Sequence, residues 1–283
     1  MTAEIISGKE LSAQKREEMK YRTQELKEQG IIPGLAVILV GEDPASQSYV
    51  RGKQRACEET GIHSELYELP ESTTEEELLG RIRELNDAQH IDGILVQLPL
   101  PSHISEDAVI DAIVPEKDVD GFHPVNIGRM MIGREAFLPC TPAGIVEMVK
   151  SREISIEGRH VVVIGRSNIV GKPAGQLFLN ENATVTYCHS RTENMKEIAA
   201  QADILVVAVG KEEFVGREYI KPGAVVIDVG VNRNSEGNLT GDVKFEEVKE
   251  VASYLTPVPG GVGPMTITML LNNTIESAQK RRR

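Results

Sequence analysis

Residues 159–191 read RHVVVIGRSNIVGKPAGQLFLNENATVTYCHSR, and the spacing of their apolar positions changes twice. His160 to Ile164 is a short β-branched run suited to a parallel strand covered on both faces. GRSNIVGKP follows, rich in turn formers. From Lys172 to Asn180 the apolar residues Ala174, Leu177 and Phe178 fall at helical spacing, and Pro173 sits in the first turn, where its missing N–H is not wanted. A second β-branched run, Ala183 to Cys188, closes the unit. Strand, glycine-bearing turn, helix and strand form the βαβ arrangement that binds a nucleotide pyrophosphate, because free N–H groups at the helix start converge on anionic oxygens.

The glycines depart from the G-x-G-x-x-G spacing: position 167 is serine, and the loop carries Gly165 and Gly171 instead. An αβ turn with no ligand fits the same letters, so the end of the second strand carries more weight. An NAD-preferring site places Asp or Glu about 20 residues beyond the glycines to hold the ribose 2′-hydroxyl. This chain offers Ser190 and Arg191. A hydroxyl and a guanidinium suit a 2′-phosphate, which a carboxylate would repel, so the residues lean to NADP over a merely solvated Arg191.

The 283 residues are long for one core and comfortable for two, which predicts two domains. A formal charge of −12 argues against a nucleic-acid surface, which needs clustered Lys and Arg. Lys280 to Arg283 is the exception, and four basic residues there are expected to favour a helix C-terminus and stay solvated. Cys57, Cys140 and Cys188 are scattered and show no C-x-x-C spacing, so neither a disulfide framework nor a zinc site is indicated and a reducing cytoplasm fits best. No stretch has the apolar core of a signal peptide or the ~20 apolar residues of a membrane span, so a soluble, unexported protein is expected.

Taken in order, Leu11 to Gln29 reads as a surface helix stopped by Gly30. Leu35 to Val40 is a buried-type strand, turned by Gly41-Glu42-Asp43-Pro44 into a helix that runs to about Thr60 and closes on Gly61. His63 to Leu69 alternates as a strand. Ser72 to Glu77 contains overlapping capping boxes for a helix to about Ala88, and Asp92 to Leu98 is another buried strand. This half alternates β and α without a phosphate-binding glycine turn and reads as a substrate domain, complete by about Val114. A less periodic connection follows. Thr141-Pro142 then makes an N-cap and N1 pair for a helix to about Lys150, taken as the bridge between domains. Beyond the nucleotide unit, Asp203 to Gly210 and Ala224 to Gly230 are further strands, and a final helix spans about Thr266 to Lys280.

Few residues stand out for chemistry. Tyr49 and Lys53 lie at i, i+4 on one helix face, where a lysine of lowered pKa can shuttle protons beside an aromatic that stacks on a flat substrate. Any long helix yields such pairs, and a solvated lysine beside a half-buried tyrosine is the plainer reading. Tyr-x-x-x-Lys also marks short-chain dehydrogenases, but there the pair follows the nucleotide unit and here it precedes it by about a hundred residues, which rejects that assignment. Gln97 ends the third strand, where open α/β sheets place ligand contacts, or else is an amide tied to the Pro99-Pro101 turn. Asp118 and Asp120 precede Gly121 in a turn, where an Asx-turn is the stronger reading of either alone. His123 beside Pro124 reads as a turn or packing residue. Pro259-Gly260-Gly261-Val262 leads into a helix N-terminus, so its backbone can approach a ligand, although a bare connecting turn has the same letters.

The order of these segments is more telling than any one of them. YVRGKQRACEETGI (49–62), DGILVQLPLP (92–101), KDVDGFHPVNIG (117–128), PCTPAG (139–144), GRSNIVGKP (165–173), CHSRT (188–192) and PVPGGVGPMT (257–266) together resemble the bifunctional methylenetetrahydrofolate dehydrogenase/methenyltetrahydrofolate cyclohydrolase family, over almost the whole chain and in the family's order. The resemblance implies a two-domain α/β enzyme with parallel-type sheets. A folate/catalytic domain would span residues 1–139, completed by a C-terminal helix at 264–283. A Rossmann-like NADP domain would span 140–263, with the active-site cleft between the two. It implies that Lys53 transfers protons in the cyclohydrolase step, that Tyr49 stacks on the folate, that Gln97 supports the lysine and that Asp120 hydrogen-bonds the pterin. Pro259, Gly260, Gly261 and Val262 would line the folate pocket. Gly165, Arg166, Ser167, Ser190 and Val231 would contact NADP, with Arg191 nearby as a charge partner. No metal is implied, and the usual state is a homodimer. Two alternatives stay open: a dehydrogenase that lost the hydrolytic step, and a non-catalytic nucleotide- or folate-sensing module. Neither needs Lys53, Gln97 and Asp120 together.

Overall fold

The computed structural model describes residues 2–282. In chain order the elements are β1 (Glu4–Ile5), α1 (Gly8–Glu28), β2 (Gly34–Val40), α2 (Pro44–Thr60), β3 (His63–Leu69), α3 (Glu75–Asp87), β4 (Gly93–Val96), α4 (Glu106–Ala112), α5 (Pro124–Met131), α6 (Cys140–Lys150) and β5 (His160–Ile164). They continue with α7 (Gly171–Asn180), β6 (Thr184–Cys188), α8 (Met195–Ala199), β7 (Ile204–Val207), β8 (Val225–Asp228), β9 (Asn232–Arg233), β10 (Leu239–Thr240), α9 (Phe245–Val248), β11 (Tyr254–Leu255) and α10 (Val262–Arg281). Two compact units result, one of residues 14–140 with 267–282, the other of residues 2–13 with 141–266.

The first unit is built on a three-stranded parallel sheet in the order β3-β2-β4. Its central strand β2 is apolar at every position and buried throughout, and the two-residue period of a strand splits it between two cores. Leu35, Val37 and Leu39 pack with Met19 and Leu26 of α1 and with Leu270, Leu271 and Ile275 of α10. Ala36, Ile38 and Val40 pack with Leu78, Ile82 and Leu85 of α3 and Val109 of α4. Local capping sets the helix ends. Asp43 accepts the Ser46 N–H at 2.7 Å to start α2, Gly61 (φ 78°) closes it, and Thr74 with Glu77 forms the expected capping box of α3. The C-terminal carbonyls of α3 meet an ammonium: Lys117 Nζ donates to the oxygens of Leu85, Asn86 and Ala88 at 2.7–2.8 Å. Burial lowers the Lys117 pKa to about 8, against which three acceptors and the negative helix end favour the charged form.

The second unit holds a six-stranded sheet in the order β1-β11-β8-β7-β5-β6, every pairing parallel. Strands β5, β7 and β8 are β-branched and almost wholly buried, as a sheet covered on both faces requires.

Four expectations are corrected. Residues 2–13 do not group with the first unit, because Glu4 and Ile5 pair with Tyr254 and Leu255 at the far edge of the six-stranded sheet. The connection after Val114 contains a helix, α5, started by Pro124 at N1 and by His123, whose Nδ1 accepts the Val125 N–H at 3.1 Å. Thr141 is not the N-cap of α6, which already begins at Cys140; its hydroxyl instead meets that of Thr266 at 2.9 Å. The basic tail is not simply solvated. Asp92 is 0% exposed and accepts the Gly34 N–H, Arg281 Nη1 at 2.9 Å and Arg282 Nε and Nη2 at 3.0 and 2.8 Å. Lys280 pairs with Glu135 and Glu276, and Arg283 lies outside the described residues.

The paired Arg281→Ala, Arg282→Ala variant therefore strands a buried carboxylate. We expect it to lower stability by about 3 kcal/mol in urea unfolding, with either single substitution costing less. A double variant as stable as the parent protein would show that Asp92 reaches solvent without its partners.

Candidate active site

α2 presents Tyr49 and Lys53 one turn apart on the same face. Tyr49 is 40% exposed, whereas Lys53 is 8% exposed, and its Nζ donates to Gln97 Oε1 at 2.9 Å. Gln97 stands just past the end of β4, its backbone N–H still continuing the ladder to Ile38 O. Its side-chain Nε2 donates to Leu98 O at 2.6 Å, so the amide oxygen is the end turned to the lysine.

The loop that carries Asp120 is built by its neighbour. Asp118 accepts the N–H groups of Gly121, Phe122 and His123 at 2.8–3.1 Å, and Asn126 Nδ2 at 2.8 Å. Gly121 has φ 79°, and a Cβ there would lie 2.5 Å from the carbonyl carbon of Leu138, so no other residue fits the turn. Asp118 is consumed by structure, which leaves the half-buried Asp120 to face the amine. The expected Asx-turn thus belongs to Asp118.

Burial pushes Lys53 below its ordinary value, and the negative charge of Asp120 opposes that shift. Burial likewise raises Asp120, opposed by Lys53. Burial presses both groups toward their neutral forms, and their mutual attraction opposes it. Cys140 is the member that the sequence reading missed. Its N–H donates to Asp120 O at 3.3 Å, its Sγ donates to Val119 O at 3.2 Å, and its thiol is raised well above the usual range by burial and then by Asp120. Its place in PCTPAG, next to no acid in the chain, gave no sign of this neighbour.

The other named residues belong to the second unit. Gly165 follows β5 with φ 137°, and a Cβ there would lie 2.3 Å from Ala208 O. A Cβ on Gly171 would lie 2.5 Å from Gly165 O, so backbones approach here as only glycine permits. Ser167, where a glycine was looked for, closes the loop by accepting the N–H groups of Val170 and Gly171 at 3.2 Å. Arg166, Ser190 and Arg191 are exposed around this start of α7, and the Gly165 N–H bonds Cys188 O, which brings the 188–192 turn alongside. Val231 is an exposed valine after β8. Tight backbones, a helix N-terminus and two exposed guanidinium groups fit a phosphorylated dinucleotide. In Pro259 to Val262, Gly260 has φ 96° and α10 starts at Val262.

Comparison with known proteins identifies the family. The tetrahydrofolate dehydrogenase/cyclohydrolase catalytic domain matches residues 6–120, and the NAD(P)-binding domain of the same family matches residues 139–282. The chain belongs to the tetrahydrofolate dehydrogenase/cyclohydrolase family. A bifunctional protein FolD of Bacillus anthracis is 66% identical over 280 residues, 99% of this chain and 98% of that protein. The crystal structure of the FolD methylenetetrahydrofolate dehydrogenase/cyclohydrolase of Campylobacter jejuni is 51% identical with a TM-score of 0.97, covering 99% of each chain. A dehydrogenase-cyclohydrolase of Trypanosoma brucei, solved with NADP and an inhibitor, is 39% identical with a TM-score of 0.96 over 100% of this chain and 99% of that one. The two family domains accord with the two units, except that residues 6–13 group with the second unit and residues 267–282 with the first.

Two substitutions should move Lys53 in opposite directions. Asp120→Asn removes a negative charge and should let Lys53 deprotonate at lower pH, whereas Gln97→Glu adds one at hydrogen-bond distance and should hold the proton to higher pH. NMR titration of the lysine side chain checks this, and a shift of the same sign in both variants would show that Asp120 is not coupled to the amine.

Proposed function

We infer that the chain oxidises 5,10-methylenetetrahydrofolate to 5,10-methenyltetrahydrofolate with NADP⁺ and then hydrolyses the product to 10-formyltetrahydrofolate. The observation that carries the reading is a buried amine held by Gln97 and coupled to Asp120, in a chain whose second unit offers a dinucleotide-type glycine loop. A dehydrogenase without the second step has no need of such an amine.

When bound, the dinucleotide supplies an acceptor for the hydride that leaves the folate's methylene carbon. The protein's task in that step is to hold two rings in register, to which Tyr49 contributes by stacking. The resulting cation is open to water at the same carbon. Lys53, its pKa lowered by burial, takes the proton that the attacking water must lose; collapse of the adduct breaks one carbon–nitrogen bond, and the adduct's remaining hydroxyl proton passes to the freed nitrogen. Gln97 keeps the amine aimed, and Asp120 both tunes it and accepts a hydrogen bond from the pterin. Gly165, Arg166, Ser167, Ser190 and Val231 would hold NADP, with Ser190 and Arg191 suited to its 2′-phosphate.

We also propose a homodimer working in the cytoplasm. The reading is supported by β3, a seven-residue strand at an open sheet edge, and by three cysteines that are buried and unpaired. Among the described residues, no helix is long and apolar enough to cross a membrane. Light scattering at micromolar concentration tests the dimer.

A coupled assay tests the chemistry. Lys53→Gln should slow methenyl hydrolysis by about 100-fold or more and hydride transfer by less than about tenfold, since the latter asks mainly for positioning. Equal losses would deny the amine a special part. Ser190→Asp should lower the NADP⁺/NAD⁺ preference in kcat/KM by about tenfold. An unchanged ratio would move the 2′-phosphate elsewhere.

A further inference from the structure

The second unit contains a pair of buried carboxylates that the chemistry above does not use. Asp228 ends β8 and Asp242 lies beyond β10, 3% and 0% exposed. Asp242 accepts four donors: the N–H groups of Val209 and Gly210 on Oδ2 at 2.7 and 2.9 Å, and the Lys211 N–H and Asn232 Nδ2 on Oδ1 at 2.8 and 2.9 Å. Asp228 in turn holds the N–H groups of Asp242 and Val243 at 3.0 Å and of Gly230 at 2.9 Å. Glycine makes room for both. A Cβ on Gly230 would lie 2.3 Å from Asp242 Cγ, and one on Gly241 would lie 1.8 Å from Asp228 Oδ2.

The place of these loops gives the network its meaning. Numbering only this sheet's strands from β5 onward, the order β6-β5-β7-β8-β11 is 2-1-3-4-5, so the winding reverses between β5 and β7. Open α/β sheets bind their ligands outside the carboxyl ends of the strands at that point. One wall of the crevice is the Gly165 loop after β5. The other is the segment after β7, whose Ala208 O bears directly on Gly165 and whose next three N–H groups all turn to Asp242. We propose that Asp242 is a positioning residue for the dinucleotide, its carboxylate fixing the Val209–Lys211 wall and, through Asn232, the Val231 segment, with Asp228 securing Asp242 in place. This rests on the dinucleotide reading above. A carboxylate is required because only an ionised one offers acceptors on both oxygens; an amide would turn its NH₂ against two further donors.

The test measures NADPH binding directly by calorimetry, alongside KM for NADP⁺ and the hydrolysis of methenyltetrahydrofolate without dinucleotide. Asp242→Asn should weaken NADPH binding and raise KM for NADP⁺ by about tenfold or more, with kcat at saturation changed by less than about threefold. Methenyl hydrolysis should stay within about twofold of the parent protein, which a general loss of structure would not allow. Asn232→Ala removes only one of the four donors and serves where Asp242→Asn does not fold; about threefold weaker binding is expected. Unchanged NADPH affinity in the folded Asn232→Ala protein, or equal loss of hydrolysis and dinucleotide binding in Asp242→Asn, overturns the proposal. A parent protein that binds no NADPH refutes the dinucleotide reading itself, whereas a parent that binds it with variants that match it refutes only the part given to Asp242.

Discussion

Burying the amine of Lys53 is the constraint from which the first unit follows. An ammonium removed from water needs acceptors and countercharge, or it gives up its proton. Gln97 supplies one acceptor and Asp120 the charge, and each is delivered by a different device. The lysine rides on a helix whose start is pinned by Asp43 and whose end is closed by Gly61. The glutamine emerges from the end of a parallel strand, and the aspartate comes from a loop that Asp118 and Gly121 hold in one conformation. None of these supports touches chemistry, yet loss of any would leave the amine as an ordinary solvated or simply neutral group.

The same solution recurs elsewhere in the chain with other purposes. Lys117 is buried against the carbonyl end of α3, Asp92 against two arginines and a backbone N–H, and Asp242 against four donors. In each case a buried charge is saturated by partners distant in sequence, which ties loops and helix ends to a fixed geometry. These groups differ from Lys53 in that their partners fill every site. Lys53 has one hydrogen bond to a neutral amide and the charge of Asp120 nearby, and burial lowers its pKa.

Much of the architecture was legible from letters alone. β-branched runs such as Val161–Ile164 and Leu35–Val40 became strands of parallel sheets because continuous apolar stretches bounded by turn residues have few other ways to be buried. The turn at residues 41–44, the capping box at Thr74 and the stop at Gly61 marked helix ends correctly, since those bonds close within a few residues. The two-residue strands β1 and β11 were not legible. Glu4–Ile5 carries no periodicity of its own, and only the exposed edge of β8, completed by β11, makes it a strand.

What the chain alone determined is therefore local and ordinal: the alternation of elements, the glycine turn before α7, the presence of Lys53, Gln97 and Asp120 in a family's order, and the lack of a carboxylate at 190–191. What only the tertiary structure decided is which polar groups meet. It separated Asp118, spent on backbone, from Asp120, left for the amine, and it placed Cys140 beside them. It also turned a basic tail into the partner of a buried aspartate nearly two hundred residues earlier. The physical reason is that burial and charge pairing are properties of a folded interior. Spacing along a chain specifies helices and turns, whereas the partner of a buried charge is set by whichever segments the core brings past it.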